Sequence, residues 1–431
     1  MNSRFLDCLS FCSAVAIGLA ISTGHPVGLT AAVGMPVACL MAKSRKSAFR
    51  NTLGYYCAGL WPMIPGSQRY LGHSSSLLMA IMLWACSAIL LSVPWTFAWT
   101  ASCRSHYLWR VLLANLALIV PPLGLVGFIS PVAGAGYLFP GTGWIGLAAT
   151  ALLPGIVLAL NHSTGRSRTC LRFAFSAAIA LGFGAHVFIS AQAKPPANWE
   201  AVNTNFGDLA RPFQDFAAAQ SIQNRVAASS ARVLIFPESV VPRWSDATNE
   251  FWQQTLVSCR DRGQILAIGA GLSRTSTDPK DRIADYDFAG AIQALRSNDR
   301  QLQPYVQSNN DTRSEPFDNT LLILGAESAT FFQRVPVPIG MWQPFSDNGV
   351  PLRLDGPGVV RIDGQLVAVL ICYEQLLTYP ILASMVQHPT VLVGISNMFW
   401  FADSPIPRYQ ASALRAWSKL FRIPYLLAVN Y

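Results

Sequence analysis

The chain has 431 residues, of which 52% are apolar and only 12% charged, with a formal net charge of +9. Soluble domains carry about 25% charged residues, so an ordinary soluble enzyme is excluded, and so is a disordered chain, which needs low hydrophobicity and high charge. Residues 1–192 hold eleven Lys and Arg against one acid, Asp7, whereas residues 193–431 hold twenty bases and twenty-one acids; the excess sits in basic loops between apolar stretches and gives no support to direct nucleic-acid binding.

Apolar runs cover roughly residues 5–23, 27–42, 51–66, 75–100, 109–130, 141–160 and 172–192. Most approach the ~20 residues that cross a bilayer as a helix. The third is short and broken by Pro and Gly, and is compatible with re-entry as well as crossing. The first is read as an uncleaved helix rather than a signal peptide, because its single Arg is offset by Asp7 and another apolar run comes at once. The connections at 44–50, 103–110 and 164–172 are basic, while those at 24–26 and 131–142 carry no Lys or Arg. Positive loops stay in the cytoplasm, so about seven crossings from a cytoplasmic N-terminus place all three basic loops inside. Arg69 is the one base on the other side, and the polar half lies outside. Trp61, Trp95, Trp99, Trp109 and Trp144 sit near run ends, as interfacial anchors or simply as packing.

Residues 1–192 are thus expected to form a transmembrane domain, 193–230 a linker and amphipathic helix (helical over 208–229), and 231–431 an α/β or layered α+β domain. In the last, short apolar runs at 231–236, 264–272, 320–326, 365–371, 390–396 and 424–430 read as strands buried on both faces. Helical stretches are expected at 246–262, 374–386 and 407–422.

Two strand ends carry chemistry. The run at 231–236 enters Pro237-Glu238-Ser239, and the run at 365–371 enters Cys372-Tyr373-Glu374. A Cys between a buried strand and a helix occupies a sharp turn where the helix dipole and free N–H groups are expected to favour a thiolate, with the Tyr373 amide near an oxyanion. A lone Cys after a strand is more often core, and Pro-Glu-Ser is also an ordinary turn; the pairing is what points to function. A Cys nucleophile needs a base, and beyond residue 192 the sole His is His388, so Glu238 is the natural candidate. Nothing in the spacing suggests a zinc site or a nucleotide loop, and no metal or other cofactor is expected.

At these residues the sequence resembles the nitrilase (carbon–nitrogen hydrolase) superfamily, and within it the membrane branch of apolipoprotein N-acyltransferases. The segments carrying the resemblance are FPES at 236–239, QRVPVPIGMWQPF at 333–345, ICYE at 371–374 and GISNMFWFADS at 394–404. The resemblance implies a multi-pass helical membrane domain in the bacterial inner membrane followed by a periplasmic α-β-β-α sandwich. It implies Cys372 as nucleophile forming a thioester, Glu238 as general base, Tyr373 lending its amide to the oxyanion and Glu374 orienting the site. The family's catalytic Lys falls on Gln333, a neutral donor, and the acid closing that segment falls on Met341. Losing a donor to the oxyanion typically lowers the rate by about 10²–10³. Lys280 could replace the Lys only through an unusual loop, and Arg334 would point the other way from Gln333 in an extended segment. The family continues past the match to 424–430, so the sandwich is expected to lack an edge or the chain to be shortened.

The architecture also resembles membrane relatives of this acyltransferase carried on conjugative plasmids. Two readings stay open. One is an acyltransferase or amidase-like enzyme whose partners are membrane lipids, an acyl donor and a lipoprotein. The other is an envelope protein with little or no catalysis that assists plasmid transfer beside the conjugation machinery. A transporter is disfavoured by the near absence of charge within the apolar runs.

Overall fold

A chain this poor in charge must pair its own backbone groups wherever it is buried in an apolar setting, and helices do so within one segment. The structure is a computed structural model describing residues 3–71, 76–101, 107–126, 128–188, 193–209, 214–274, 316–346 and 348–431. Its N-terminal half forms α1 (Ser3–Ser22), α2 (Pro26–Ala31), α3 (Met35–Leu40), α4 (Arg45–Leu60), α5 (Met63–Leu71), α6 (Ser76–Ala98), α7 (Tyr107–Ile119), α8 (Ala135–Leu138), α9 (Trp144–His162) and α10 (Gly165–Phe188). Among the described residues four helical segments are long and apolar enough to cross a membrane: Phe5–Ser22, Leu77–Ala98, Trp144–Asn161 and Gly165–Phe188.

The other apolar runs fold differently. The second becomes α2 and α3, joined by a short 3-10 turn. The third divides between α4 and α5. Helix α4 buries Asn51 and Thr52 completely and packs on α1 through small residues: a Cβ on Gly18 would strike the Tyr55 carbonyl, and one on Gly54 would strike the Phe11 ring. The fifth run, expected helical over 109–130, stops at Ile119. Pro121 and Pro122 come next, and the residue before a proline is driven from helical geometry. At 1.5 Å per residue, the 13 residues of α7 span about 20 Å. Trp95, near the end of its run, is core rather than an interfacial anchor: it is fully buried and donates its indole N–H to Tyr56 Oη at 3.0 Å.

The polar half builds two sheets around one core. The first contains β1 (Trp199–Ala201), β2 (Val233–Ile235), β3 (Val241–Trp244), β4 (Ile265–Ser273), β5 (Phe317–Gly325) and β6 (Ala329–Phe332), in the order β1-β2-β4-β5-β6 with β3 also on β4. The second contains β7 (Val359–Ile362), β8 (Gln365–Ile371), β9 (Val391–Asn397) and β10 (Tyr425–Asn430), in the order β10-β9-β8-β7. Strand β2 runs parallel to β4, and β8 parallel to β9. Alternate residues of facing strands meet between the sheets: Val233, Ile235, Ile265, Ala267, Leu321 and Ile323 from the first, Val367, Val369, Ile371, Val393 and Ile395 from the second. The opposite face of the first sheet, with Leu234, Phe236, Leu266 and Ile268, is covered by α11 (Gln214–Ala228) and α12 (Asp246–Asp261). Both faces are therefore apolar, which is why these strands read as continuous runs. The outer side of β10 is bonded to residues 203–207: Thr204 N–H donates to Val429 O at 2.9 Å and Tyr431 N–H to Thr204 O at 3.0 Å.

Helices α13 (Thr378–Met385) and α14 (Ile406–Phe421) come after β8 and β9. The chain divides into two compact units. Residues 1–194, 375–386 and 400–425 form the helical one; residues 195–374, 387–399 and 426–431 form the sheet sandwich. The fold is a multi-pass-type helical domain followed by an α/β sandwich.

Within the helical unit, α14 presents Tyr409, Ala413, Ala416, Trp417 and Leu420 along one buried face. A Cβ on Gly136 would collide with Ala416 O, and Gly141 and Gly143 donate N–H bonds to Lys419 O and Leu420 O, both at 2.8 Å. The irregular segment after α7 is held by two tyrosines. Tyr55 Oη donates to Ile129 O at 2.8 Å, and Tyr409 Oη accepts from Ile129 N–H at 3.2 Å. Arg69, the base that departs from the loop-charge pattern, forms an ion pair with Asp403 at 2.7 Å.

Candidate active site

The parallel strands β2, β8 and β9 deliver Glu238, Cys372 and Asn397 from their carboxyl ends, where open α/β sheets commonly place ligand sites. Gly269 on β4 lets the chain after β2 pass: a Cβ there would strike Pro237 O and Glu238 Cα. Cys372 has φ 49°, in the left-handed region. A residue with a side chain pays about 1–3 kcal/mol to sit there and does so only where its surroundings over-determine it. The sharp turn expected at Cys372 is thus present.

The turn is a 3-10 segment, Cys372–Leu376, and α13 begins only at Thr378. Cys372 therefore lies outside the first turn of the α-helix, and the helix dipole falls off within that turn. Its thiol is pushed well above its ordinary value, first by burial, then by the Glu238 carboxylate; the N–H groups of Asn397 and Tyr373, both bonded to the sulfur, pull it down without prevailing. Burial and Glu238 thus work against the thiolate that the turn is expected to favour, and the thiol bonds Glu238. Cys372 keeps part of its surface open.

Glu238 is 4% exposed. Its Oε1 accepts from Asn319 Nδ2 at 2.7 Å and its Oε2 from Asn397 N–H at 2.9 Å, and it also bonds the Cys372 thiol. Burial raises its pKa, and these donors only partly offset that. Gln333 is 1% exposed. Its Nε2 donates to Ile371 O at 3.1 Å and its Oε1 accepts from Asn319 Nδ2 at 3.0 Å. Gln333 is thus linked to Glu238 through Asn319 and to the residue before Cys372 through the Ile371 carbonyl, and Arg334 turns elsewhere, with its guanidinium 3.4 Å from Glu374.

Glu374 is fully buried. Its Oε1 accepts from Arg334 N–H at 2.9 Å and Val335 N–H at 3.1 Å, and its Oε2 from Ile371 N–H at 2.9 Å. It fastens the segment bearing Gln333 to the strand bearing Cys372. Tyr373 places its N–H on the Cys372 sulfur. Cys372, Glu238, Gln333, Tyr373 and Glu374 therefore come together, while Lys280 lies outside the described residues. Two participants were missed from the sequence. Asn397 lies in the ISN segment but acts through its backbone, which side-chain chemistry does not advertise. Asn319 sits one residue before the apolar run at 320–326, and alternation with Leu321 and Ile323 was the signal for its inward face. Among the described residues no group of three His, Cys, Asp or Glu is arranged to hold a metal.

Together the sandwich and this site set a buried carboxylate, bonded to a cysteine, at the ends of two strands. No family model matches the chain. Over nearly its whole length the chain is similar to a probable conjugal transfer protein TraB of Sinorhizobium fredii, 28% identical over 97% of this chain and 96% of that protein. It is likewise similar to the conjugal transfer protein TraB of Agrobacterium fabrum, 26% identical over 100% and 94%. Among solved structures, an amidase of the nitrilase superfamily from Nesterenkonia is 13% identical with a TM-score of 0.28; the alignment spans 46% of this chain and 63% of the amidase, less than two thirds of its length.

Proposed function

We propose that the protein is an inner-membrane, nitrilase-like protein of plasmid conjugation that forms a thioester on Cys372 at the periplasmic face, taking the acyl group from a lipid ester or an amide. The observation carrying this reading is the hydrogen bond between the Cys372 thiol and Glu238, with the Tyr373 and Asn397 N–H groups on the same sulfur. The loop charges and the long apolar helices support the membrane setting. The names of the two relatives support the conjugation setting, and a lipoprotein or a component of the conjugation machinery is the acceptor or partner it implies.

In the first step the thiol proton passes to Glu238, and the sulfur pair attacks the carbonyl carbon. The Tyr373 N–H stabilises the oxygen that gains charge. Glu238 then returns the proton to the departing alcohol or amine, leaving the thioester. In the second step Glu238 takes a proton from the acceptor as that acceptor attacks the thioester, and the thiol is restored.

Gln333 favours a second reading, an envelope protein with little or no catalysis, because it supplies no charge where the resemblance expects Lys. Plasmid transfer in mating assays separates the two. The catalytic reading expects Cys372→Ala and Glu238→Gln each to lower transfer frequency by about 10²-fold or more, at unchanged protein abundance. Full transfer by both variants would leave the scaffold reading in its place.

A further inference from the structure

Resting on that reading, we infer that Asn319 is a positioning residue of the site: it holds Glu238 as an acceptor facing the Cys372 thiol and ties it to Gln333, a neutral bridge at the position where the resemblance implies Lys. The bridge is set by strand register. Strand β6 pairs antiparallel with β5, Phe332 opposite Thr320. One step further Gln333 N–H donates to Asn319 O at 2.9 Å, so Asn319 and Gln333 are cross-strand partners on the face that carries Leu321 and Phe331 into the core. Their side chains then close a ring. Glu238 Oε1 accepts from Asn319 Nδ2 (2.7 Å), Gln333 Oε1 accepts from the same Nδ2 (3.0 Å), and Gln333 Nε2 donates to the carbonyl of Ile371 (3.1 Å). Ile371 is bonded covalently to Cys372, whose thiol returns to Glu238.

The amide of Asn319 can face only one way. Reversed, its oxygen would meet two acceptors, Glu238 Oε1 and Gln333 Oε1. In the orientation it takes, both Nδ2 hydrogens are engaged, and Oδ1 is buried without a hydrogen-bond partner among the described residues. Asn319 is 1% exposed in a strand that is otherwise apolar at its buried positions facing the second sheet. Leaving a buried acceptor unpaired is unfavourable by about 1–3 kcal/mol, a cost that an apolar residue at this position would avoid. Such unpaired groups in a native core call for an explanation, and here it is the donor pair aimed at Glu238. With both carboxylate oxygens receiving N–H bonds, Glu238 presents an acceptor rather than a donor to the sulfur, as a base must.

The test is the pH dependence of Cys372 alkylation by iodoacetamide in the full-length, membrane-embedded protein, read by mass on the peptide containing Cys372. In the wild type the rate rises with pH as Glu238 becomes able to take the thiol proton. Asn319→Ala removes the donor and moves this midpoint up by about one pH unit. Asn319→Asp, of the same shape, sets a second carboxylate against Glu238 and moves it further, which keeps the test available should the Ala variant not fold. A merely structural asparagine would not give this ordering. If Glu238→Gln displaces the rise but neither Asn319 variant does, Asn319 has no positioning role while the Cys372–Glu238 pair stands. If Glu238→Gln also leaves the profile unchanged, the pair itself fails, and the inference with it.

Discussion

A carboxylate surrounded by protein keeps its proton to higher pH than one in water, because burial disfavours the charged form. Glu238 is raised above its ordinary 4.5 for this reason. Its carboxylate form therefore appears only as pH rises through that elevated value, and acyl loading of Cys372 should fall on acidification at a midpoint above the usual Glu range; a limb at or below the ordinary 4.5 would contradict a buried base. Replacing Gln333 by Lys sets a cation where Gln333 now bonds Asn319, the donor to Glu238. An opposite charge within about 4–6 Å lowers an acid's pKa by one to three units, so Gln333→Lys should speed Cys372 alkylation at neutral pH about tenfold or more. An unchanged rate would mean that position 333 does not act on the sulfur. Glu374 belongs to the frame. Glu374→Ala leaves Arg334 buried without its anion and three N–H groups without their acceptor. It should destabilise the sandwich by about 3–5 kcal/mol, read as a large fall in thermal midpoint.

At the scale of elements, the clearest sequence signal was burial on both faces. Strands β2, β4, β5, β8, β9 and β10 were legible as continuous apolar runs, α11 as a helical stretch ahead of them, and α12 and α14 as helical stretches between them. Strands β1, β3, β6 and β7 were not, because three or four residues at a sheet margin carry too little pattern to separate from loop. The helix in the apolar run at 109–130 ends at Ile119, just ahead of Pro121 and Pro122, where backbone geometry overrode hydropathy. The segment around Ile129 is buried because partners elsewhere satisfy its backbone, chiefly Tyr55 and Tyr409; no local pattern could announce tyrosines 74 and 280 residues away. The glycine at the α8–α14 crossing gives a direct check. Gly136→Ala should lower the thermal midpoint of the detergent-extracted protein by several degrees, since the added methyl meets Ala416 O, whereas Gly184→Ala, with nothing within 4 Å of the new atom, should leave it within a degree or two. Equal behaviour of the two would show that α14 does not dock as described.

For the whole molecule, the charge asymmetry between residues 1–192 and 193–431 was visible from composition alone, but the two compact units do not divide there: the helical one also takes in residues 375–386 and 400–425 of the polar half. Sequence motifs identified the thiol and the carboxylate. The ring linking them through Asn319 and Gln333 depended on strand register, which apolar runs do not specify. The membrane reading expects the loop at 164–172 inside the cell and the sandwich outside. A reporter active only beyond the cytoplasm should be active when fused after residue 200 and silent when fused after residue 164. The chemical reading is tested most directly by mass analysis of the Cys372 peptide from membranes of conjugating cells. It predicts an acyl adduct on wild-type Cys372 that hydroxylamine releases, a stable oxygen ester on Cys372→Ser, and no adduct on Glu238→Gln. A wild-type Cys372 that is never acylated, in cells transferring plasmid normally, would contradict it.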